Sequence, residues 1–307
     1  MAADRTLTDA STTSPSSGAA PTGASGPDGS RRPGHPLAAV PSAGALPVLR
    51  WVLRVHRRAL IGWGVALGLV TALYVSFWPA MGDTQEMQAL IDSMPEALVT
   101  AMGYDAISSP AGYLESTVYA LLAPILMLVF ALAFGARLIA GDEESGAMEL
   151  EATGPVGRRR VLLERYAALV LGVVWLGALT GVVALTLARA LGMDIGTGPL
   201  LGATVGLGLL VLALGSVAFA VGAATGRRAL ALTVGATVAV FGYMADALAP
   251  LLDDGAWLER LSPFFWYLGN DPLNEGLGVA GALALAALTL VSLGVAVLAY
   301  DRRDLGV

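Results

Sequence analysis

Leu200–Ala224, LLGATVGLGLLVLALGSVAFAVGAA, runs for 25 residues without one ionisable side chain. A helix rises about 1.5 Å per residue, so this stretch is long enough to cross a hydrocarbon core about 30 Å thick. Five further runs share the pattern: Ala59–Trp78, Thr117–Ala136, Tyr166–Ala188, Ala229–Pro250 and Gly276–Tyr300. Inside the six, the only acid or base is Asp246, near the end of the fifth. An Arg or Asp at a helix centre costs about 2.5–3.5 kcal/mol on the insertion scale, so these charge-free cores mark the boundaries of the spans. The whole-chain composition agrees: 56% of residues are hydrophobic and 14% charged, against roughly 25% charged in a soluble domain. The expected fold class is an all-α polytopic membrane protein with six transmembrane helices.

The segments flanking the spans add orientation. Placing the N-terminus inside puts 16 of the 18 arginines on the cytosolic side, leaving only Arg189 and Arg260 outside. The positive-inside rule therefore predicts cytosolic termini and a multi-pass protein of the plasma (inner) membrane. From Leu46 to Arg58, Leu49, Val52, Leu53 and His56 share one helical face while Arg50, Arg54, Arg57 and Arg58 lie toward the other. With Trp51 among the aliphatics, this suits an N-terminal interfacial helix in the headgroup layer; the plainer alternative is a cytosolic extension of the first span. Residues 1–45 are different in kind, with 24 Ser, Thr, Pro or Gly. Such a segment buries too little apolar surface to offset chain entropy, and a disordered cytosolic tail is expected. Residues 46–307 form the expected six-helix domain.

The connections on the other side are acidic. Asp83, Glu86, Asp92, Glu96, Asp105 and Glu115 separate the first two spans, and Met87, Leu90, Ile91, Met94, Leu98 and Met102 recur at helical spacing. A short amphipathic helix is expected across Thr84–Met102. Between Leu251 and Glu275, Trp257, Phe264, Phe265, Trp266 and Tyr267 form an interfacial aromatic cluster. Pro263 and Pro272 forbid one continuous helix there, so the segment dips into the bilayer or caps the bundle.

Several functions are excluded by what the chain lacks. It has no cysteine, hence no disulfide, thiolate metal site or cysteine nucleophile. It has no lysine either, and a P-loop needs one to reach the β- and γ-phosphates. ATP, if used, is hydrolysed by another chain. His35 and His56 both precede the first span, so histidine catalysis within the bilayer is ruled out. Ser216 in the fourth span has no His, Lys or paired carboxylate beside it, and Asp246 has no second aspartate to share a proton. The chain is not expected to be an enzyme, and neither a catalytic, cofactor nor metal site is assigned. A net charge of −6 also argues against a nucleic-acid partner.

The richest segment is Arg137–Arg165, RLIAGDEESGAMELEATGPVGRRRVLLER, with six acids and five arginines in 29 residues. Asp142, Glu143, Glu144, Glu149 and Glu151 crowd its first block; Thr153-Gly154-Pro155 breaks it; Arg158-Arg159-Arg160 open the second. On the residues alone two readings stand. It is a solvated loop obeying the positive-inside rule, or a broken helix that offers a soluble partner steering charge together with apolar anchors such as Met148 and Leu150.

The ordered set Glu143, Glu144, Gly146, Glu149, Leu150, Pro155, Val156 and Arg158 resembles the second–third connection of ABC-2 type transporter permeases. Leu261-Ser262-Pro263-Phe264, Pro272-Leu273 and Gly276 before the last span are also similar to that family, as is the interfacial helix followed by six spans. The resemblance covers about residues 46–307. Ala147 stands where Thr is frequent, and Gly157 replaces the common Ser. The stretch Ser108–Leu114, SSPAGYL, is similar to the actinobacterial branch related to polyketide-antibiotic exporters.

The resemblance implies a permease half whose Glu143–Arg160 region docks a separate cytosolic P-loop ATPase that binds ATP and Mg. The implied coupling residues are Glu143, Glu144, Gly146, Glu149, Leu150, Pro155, Arg158, Arg159 and Arg160. A second half, identical or related, would complete the path, and an amphiphilic or hydrophobic compound such as a drug, antibiotic or lipid would be exported. The competing readings are an ATP-independent carrier or channel and a non-transporting scaffold; carriers usually expose ionisable groups at the midplane, and none is present.

Gly64/Gly68, Gly177/Gly181, Gly202/Gly206 and Gly222/Gly226 fit G-x-x-x-G, a spacing that lets helices approach, either within the chain or at a subunit seam. Pro124 is placed to bend the second span. Arg189 and Asp246 both lie near the outer boundary, where they either pair or face water.

Overall fold

The computed structural model describes residues 46–81, 93–95, 109–141, 157–252 and 255–302. The tail over residues 1–45 lies outside them, as does nearly all of the helix expected across Thr84–Met102. By its contacts the chain divides into Met1–Gly44 and Ala45–Val307, and the fold below is that of the second unit. All regular structure among the described residues is helical.

Six helices are long and apolar enough to cross a membrane: Pro47–Ala80, Pro110–Gly141, Arg158–Ala190, Thr197–Thr225, Arg228–Leu251 and Val279–Arg302. They contain the first five predicted runs, extending most by one to three turns, whereas the sixth helix begins at Val279, three residues after the predicted Gly276. The first opens with Pro47, whose fixed φ suits a first helical position. It continues to Ser76 as one helix of 30 residues, about 45 Å long. The expected interfacial helix and the first span are therefore a single element, because neither Gly nor Pro interrupts residues 48–61. The second span begins where Ser109 accepts the Gly112 N–H at 3.0 Å, with Pro110 following the cap. The fourth stops at Gly226, whose φ of 63° is the left-handed conformation that favours glycine.

Burial ranks the spans. In its most apolar window the fourth is 67% buried, whereas the first, fifth and sixth are 22% buried each. The fourth accordingly forms the hub, packing against the second, third, fifth and sixth, while the first lies along the third. Small residues permit this. A Cβ on Gly135 of the second span would stand 2.8 Å from the Gly215 carbonyl of the fourth.

Most members of the four G-x-x-x-G pairs stand at similar close approaches. Gly64 and Gly68 face Trp175 and Leu179 of the third span, Gly181 faces Thr204, and Gly222 faces Ala231. A Cβ on Gly202 would come 2.6 Å from the Leu277 backbone nitrogen. These glycines seat helices within one chain.

One end of the bundle collects the starts of the first, third and fifth helices and the finishes of the others, and with them most arginines; we call it the basic end. At the opposite, acidic end, residues 255–276 fold over the bundle. Helices Ala256–Leu261 and Pro263–Leu268 meet at Ser262. Its buried hydroxyl donates to the Gly242 carbonyl at 2.8 Å and accepts the N–H groups of Phe264 and Phe265. Phe264, Tyr267 and Leu273 are buried, whereas Trp257 is 62% exposed. The segment is thus a cap, broken before Pro263 as its sequence requires.

Pro124 does more than bend its helix. Residues Glu115–Leu122 are a π-helix, and the Ala123 N–H bonds to Val118, five residues back. Proline has no N–H to offer the next carbonyl, that of Tyr119. The Tyr267 hydroxyl of the cap donates to this carbonyl at 3.2 Å, and the Tyr119 hydroxyl meets Thr204 Oγ1 at 2.9 Å. Burial pushes the Tyr267 phenol well above its ordinary pKa, so it remains a donor. Glu115 adds a further tie by accepting the Leu273 N–H at 3.1 Å. Arg189 donates to Thr197 Oγ1 at 2.7 Å, so its guanidinium is engaged at its own end of the third–fourth connection.

Candidate functional site

The basic end holds both arms of the charged connection. The first arm is Arg137–Gly141, a π-helical turn closing the second span; the other is the start of the third span at Arg158. Glu143, Glu144, Gly146, Glu149, Leu150 and Pro155 lie between them, outside the described residues. Arg158, Arg159 and Arg160 occupy one exposed helical turn.

These three arginines have different engagements. Arg159 Nη2 lies 2.6 Å from Asp301 Oδ2, linking the third span to the end of the sixth, with the arginine side chain 71% exposed. So exposed a pair is screened by water and orients more than it stabilises. Arg160 Nε donates to Glu164 Oε1 at 2.8 Å, one turn along the same helix. Arg158 faces solvent.

Glu164 is the unexpected residue. It is 2% exposed, and its second oxygen accepts the Val48 N–H at 2.8 Å and the Leu49 N–H at 3.1 Å. A helix leaves its first N–H groups without partners inside the helix and carries partial positive charge there. The first helix supplies no side-chain cap of its own, since its capping position is Leu46, with φ of 64°. Glu164 therefore caps that helix from the third span, satisfying two donors with a charge-assisted acceptor.

Arg165, next along, is 1% exposed and donates to the Leu138 carbonyl in the π turn. The buried guanidinium thus finds a carbonyl acceptor on the neighbouring span, a charge-assisted bond between the third helix and the second. The two arms are thereby fastened at their roots. Around them, His56 Nδ1 approaches the Val52 carbonyl at 3.0 Å and its ring meets Phe134 edge-on, 5.2 Å between centroids. A Cβ on Gly141 would lie 2.9 Å from the Arg137 side chain and 3.8 Å from that of Arg228, bringing the fifth span's start beside the first arm.

Chemically this is a mechanical junction. Among the described residues no group of three His, Asp or Glu is arranged to hold a metal ion. What it does is tie five helices together at the two ends of the charged connection. Of the predicted coupling residues, Arg158, Arg159 and Arg160 are placed at this junction, where the latter two bond to Asp301 and Glu164. Glu164 and Arg165 were not singled out from the sequence. Their signal was present: an acid one turn after Arg160, followed by an arginine, where the apolar run begins.

A family model described as ABC-2 family transporter protein matches residues 48–305, an interval that contains every spanning helix almost entirely. No curated protein matches the chain.

Proposed function

The chain belongs to the ABC-2 family of transporter proteins, and from that premise we propose that it is the permease half of an exporter driven by a separate P-loop ATPase. The cargo class is an amphiphilic or hydrophobic compound, such as a drug, antibiotic or lipid, because the span interiors offer apolar walls without midplane charge. The ATPase docks on the Glu143–Arg160 region and supplies the ATP and Mg chemistry that this lysine-free chain lacks. A second half, identical or related, completes the path. The chain lies in the inner membrane with both termini cytoplasmic, as its arginine distribution favours.

The observation that carries this reading is the fastening of both arms at the basic end. Arg165 ties the third span to the second, and Glu164 ties it to the first. A displacement of the connection by a closing ATPase is thereby shared among three spans rather than absorbed by a loose loop. Nucleotide state and permease state then bias each other reciprocally.

The test is copurification with a P-loop ATPase encoded beside this chain, after detergent extraction at low salt. Glu143→Arg with Glu144→Arg is expected to reduce ATPase recovery while leaving the amount of inserted permease unchanged. Undiminished recovery would remove the docking assignment.

A further inference from the structure

The first helix carries a feature that coupling does not use. Arg50, Arg54, Arg57 and Arg58 fall at i, i+4, i+7 and i+8 on its opening turns, and all four are exposed. At 3.6 residues per turn they form one stripe. Ile61, Val65 and Leu69 continue it upward at 50%, 54% and 66% exposed, while Leu49, Val52 and Leu67 are buried on the opposite side. A face that turns Ile61, Val65 and Leu69 outward from a spanning helix meets acyl chains, so the turns directly below meet headgroups. Arg54 to Arg58 occupy about 6 Å of the axis, comparable with the depth of one headgroup layer. Trp51, 41% exposed, stands beside them as an interfacial ring.

Charge selects among headgroups. No acid occurs between Pro47 and Ala80, and among the described residues no carboxylate forms an ion pair with these four arginines. The chain as a whole carries −6, so any attraction to an anionic surface is local to the stripe. Glu164, holding the Val48 and Leu49 N–H groups, fixes the rotation that aims the stripe outward. A guanidinium fork matches phosphate oxygens bidentately. A second copy laid on this face through the same stripe would oppose arginine to arginine, a repulsive arrangement.

We propose that the Arg50–Arg54–Arg57–Arg58 stripe is a binding face for anionic phospholipid, taking headgroup phosphates in the leaflet at the basic end. The test uses the full chain purified in maltoside detergent, titrated with phosphatidylglycerol or phosphatidylcholine and followed by native mass spectrometry. Each arginine near an anionic surface contributes about fivefold, so phosphatidylglycerol is retained at least about tenfold more tightly than phosphatidylcholine. Arg54→Gln with Arg57→Gln erases most of that preference; Arg189→Gln with Arg260→Gln, at the acidic end, preserves it. Equal retention of the two lipids by the unaltered chain overturns the proposal, as does an undiminished preference in the Arg54/Arg57 variant. Because the chain has no cysteine, Arg54→Cys reports separately on a protein occupant. No disulfide between copies is expected on oxidation in phosphatidylglycerol liposomes, and efficient cross-linking would put a second chain on the stripe instead.

Discussion

Glu164 sits where three obligations meet: a helix N-terminus, an arginine one turn away, and burial to 2% exposure. Truncation to alanine leaves the Val48 and Leu49 N–H groups without their acceptor, and each buried unsatisfied group costs about 1–3 kcal/mol. Glu164→Ala is therefore expected to lower the thermal unfolding midpoint of the purified chain. Glu164→Gln, which keeps an acceptor but loses the charge, should fall between the two in scanning fluorimetry. If glutamine and alanine are equally mild, the carboxylate is not the cap that holds the first helix. Leu46 gains meaning from the same contact. A leucine at φ of 64° is disfavoured by its Cβ, and the hydrogen bonds to the two residues after Pro47 help hold the chain in that turn.

At the scale of an element, the second span shows how a missing donor is compensated at long range. Pro124 withholds an N–H, the preceding turn widens to a π-helix, and the Tyr119 carbonyl is taken by Tyr267 from the cap. Tyr267→Phe is expected to destabilise the chain by about 1–3 kcal/mol. In a Pro124→Ala background the same change should cost less, because an alanine N–H becomes available to the span. A double-mutant cycle measures the difference, and a coupling below about 0.5 kcal/mol would mean the two residues act independently.

That Pro124 would disturb its own helix was legible in the sequence; the tyrosine that answers it was not, lying 148 residues from the Tyr119 carbonyl it meets. The same contrast holds at the basic end. Arg158, Arg159 and Arg160 announce themselves as a run, whereas the role of Glu164 depends on a helix end 116 residues earlier in the chain. The continuity of the first helix was also only half legible. Its arginine face satisfied the pattern of an interfacial helix, and that pattern alone does not say whether the backbone turns at Arg58.

For the whole molecule, the uneven burial of the spans separates a hub from a rim. The second and fourth helices are held on most sides by protein, while the first, fifth and sixth present Leu69, Phe241 and Val279 outward at 66%, 71% and 72% exposed. Lipid tails are as apolar as these side chains, so their outward placement carries no hydrophobic penalty in a bilayer. Sidedness is the property to be measured at this scale. Single cysteines replacing Asn274, in the cap, and Arg302, at the end of the sixth helix, should react with a membrane-impermeant maleimide from opposite sides. Asn274→Cys is expected to label in intact cells and Arg302→Cys only after permeabilisation; the reverse pattern would invert the chain and place the charged connection away from cytosolic ATP.

The borrowed cap on the first helix also imposes an order in time. Val48 leaves the ribosome 116 residues before the carboxylate that completes its turn, an interval of roughly 6–23 s at ordinary rates of synthesis. For the later part of that interval the first helix is complete while its opening amides still lack this carboxylate. Its final rotation is settled when the third helix arrives alongside, so the earliest part of the bundle to be made waits for a later one before its geometry is finished.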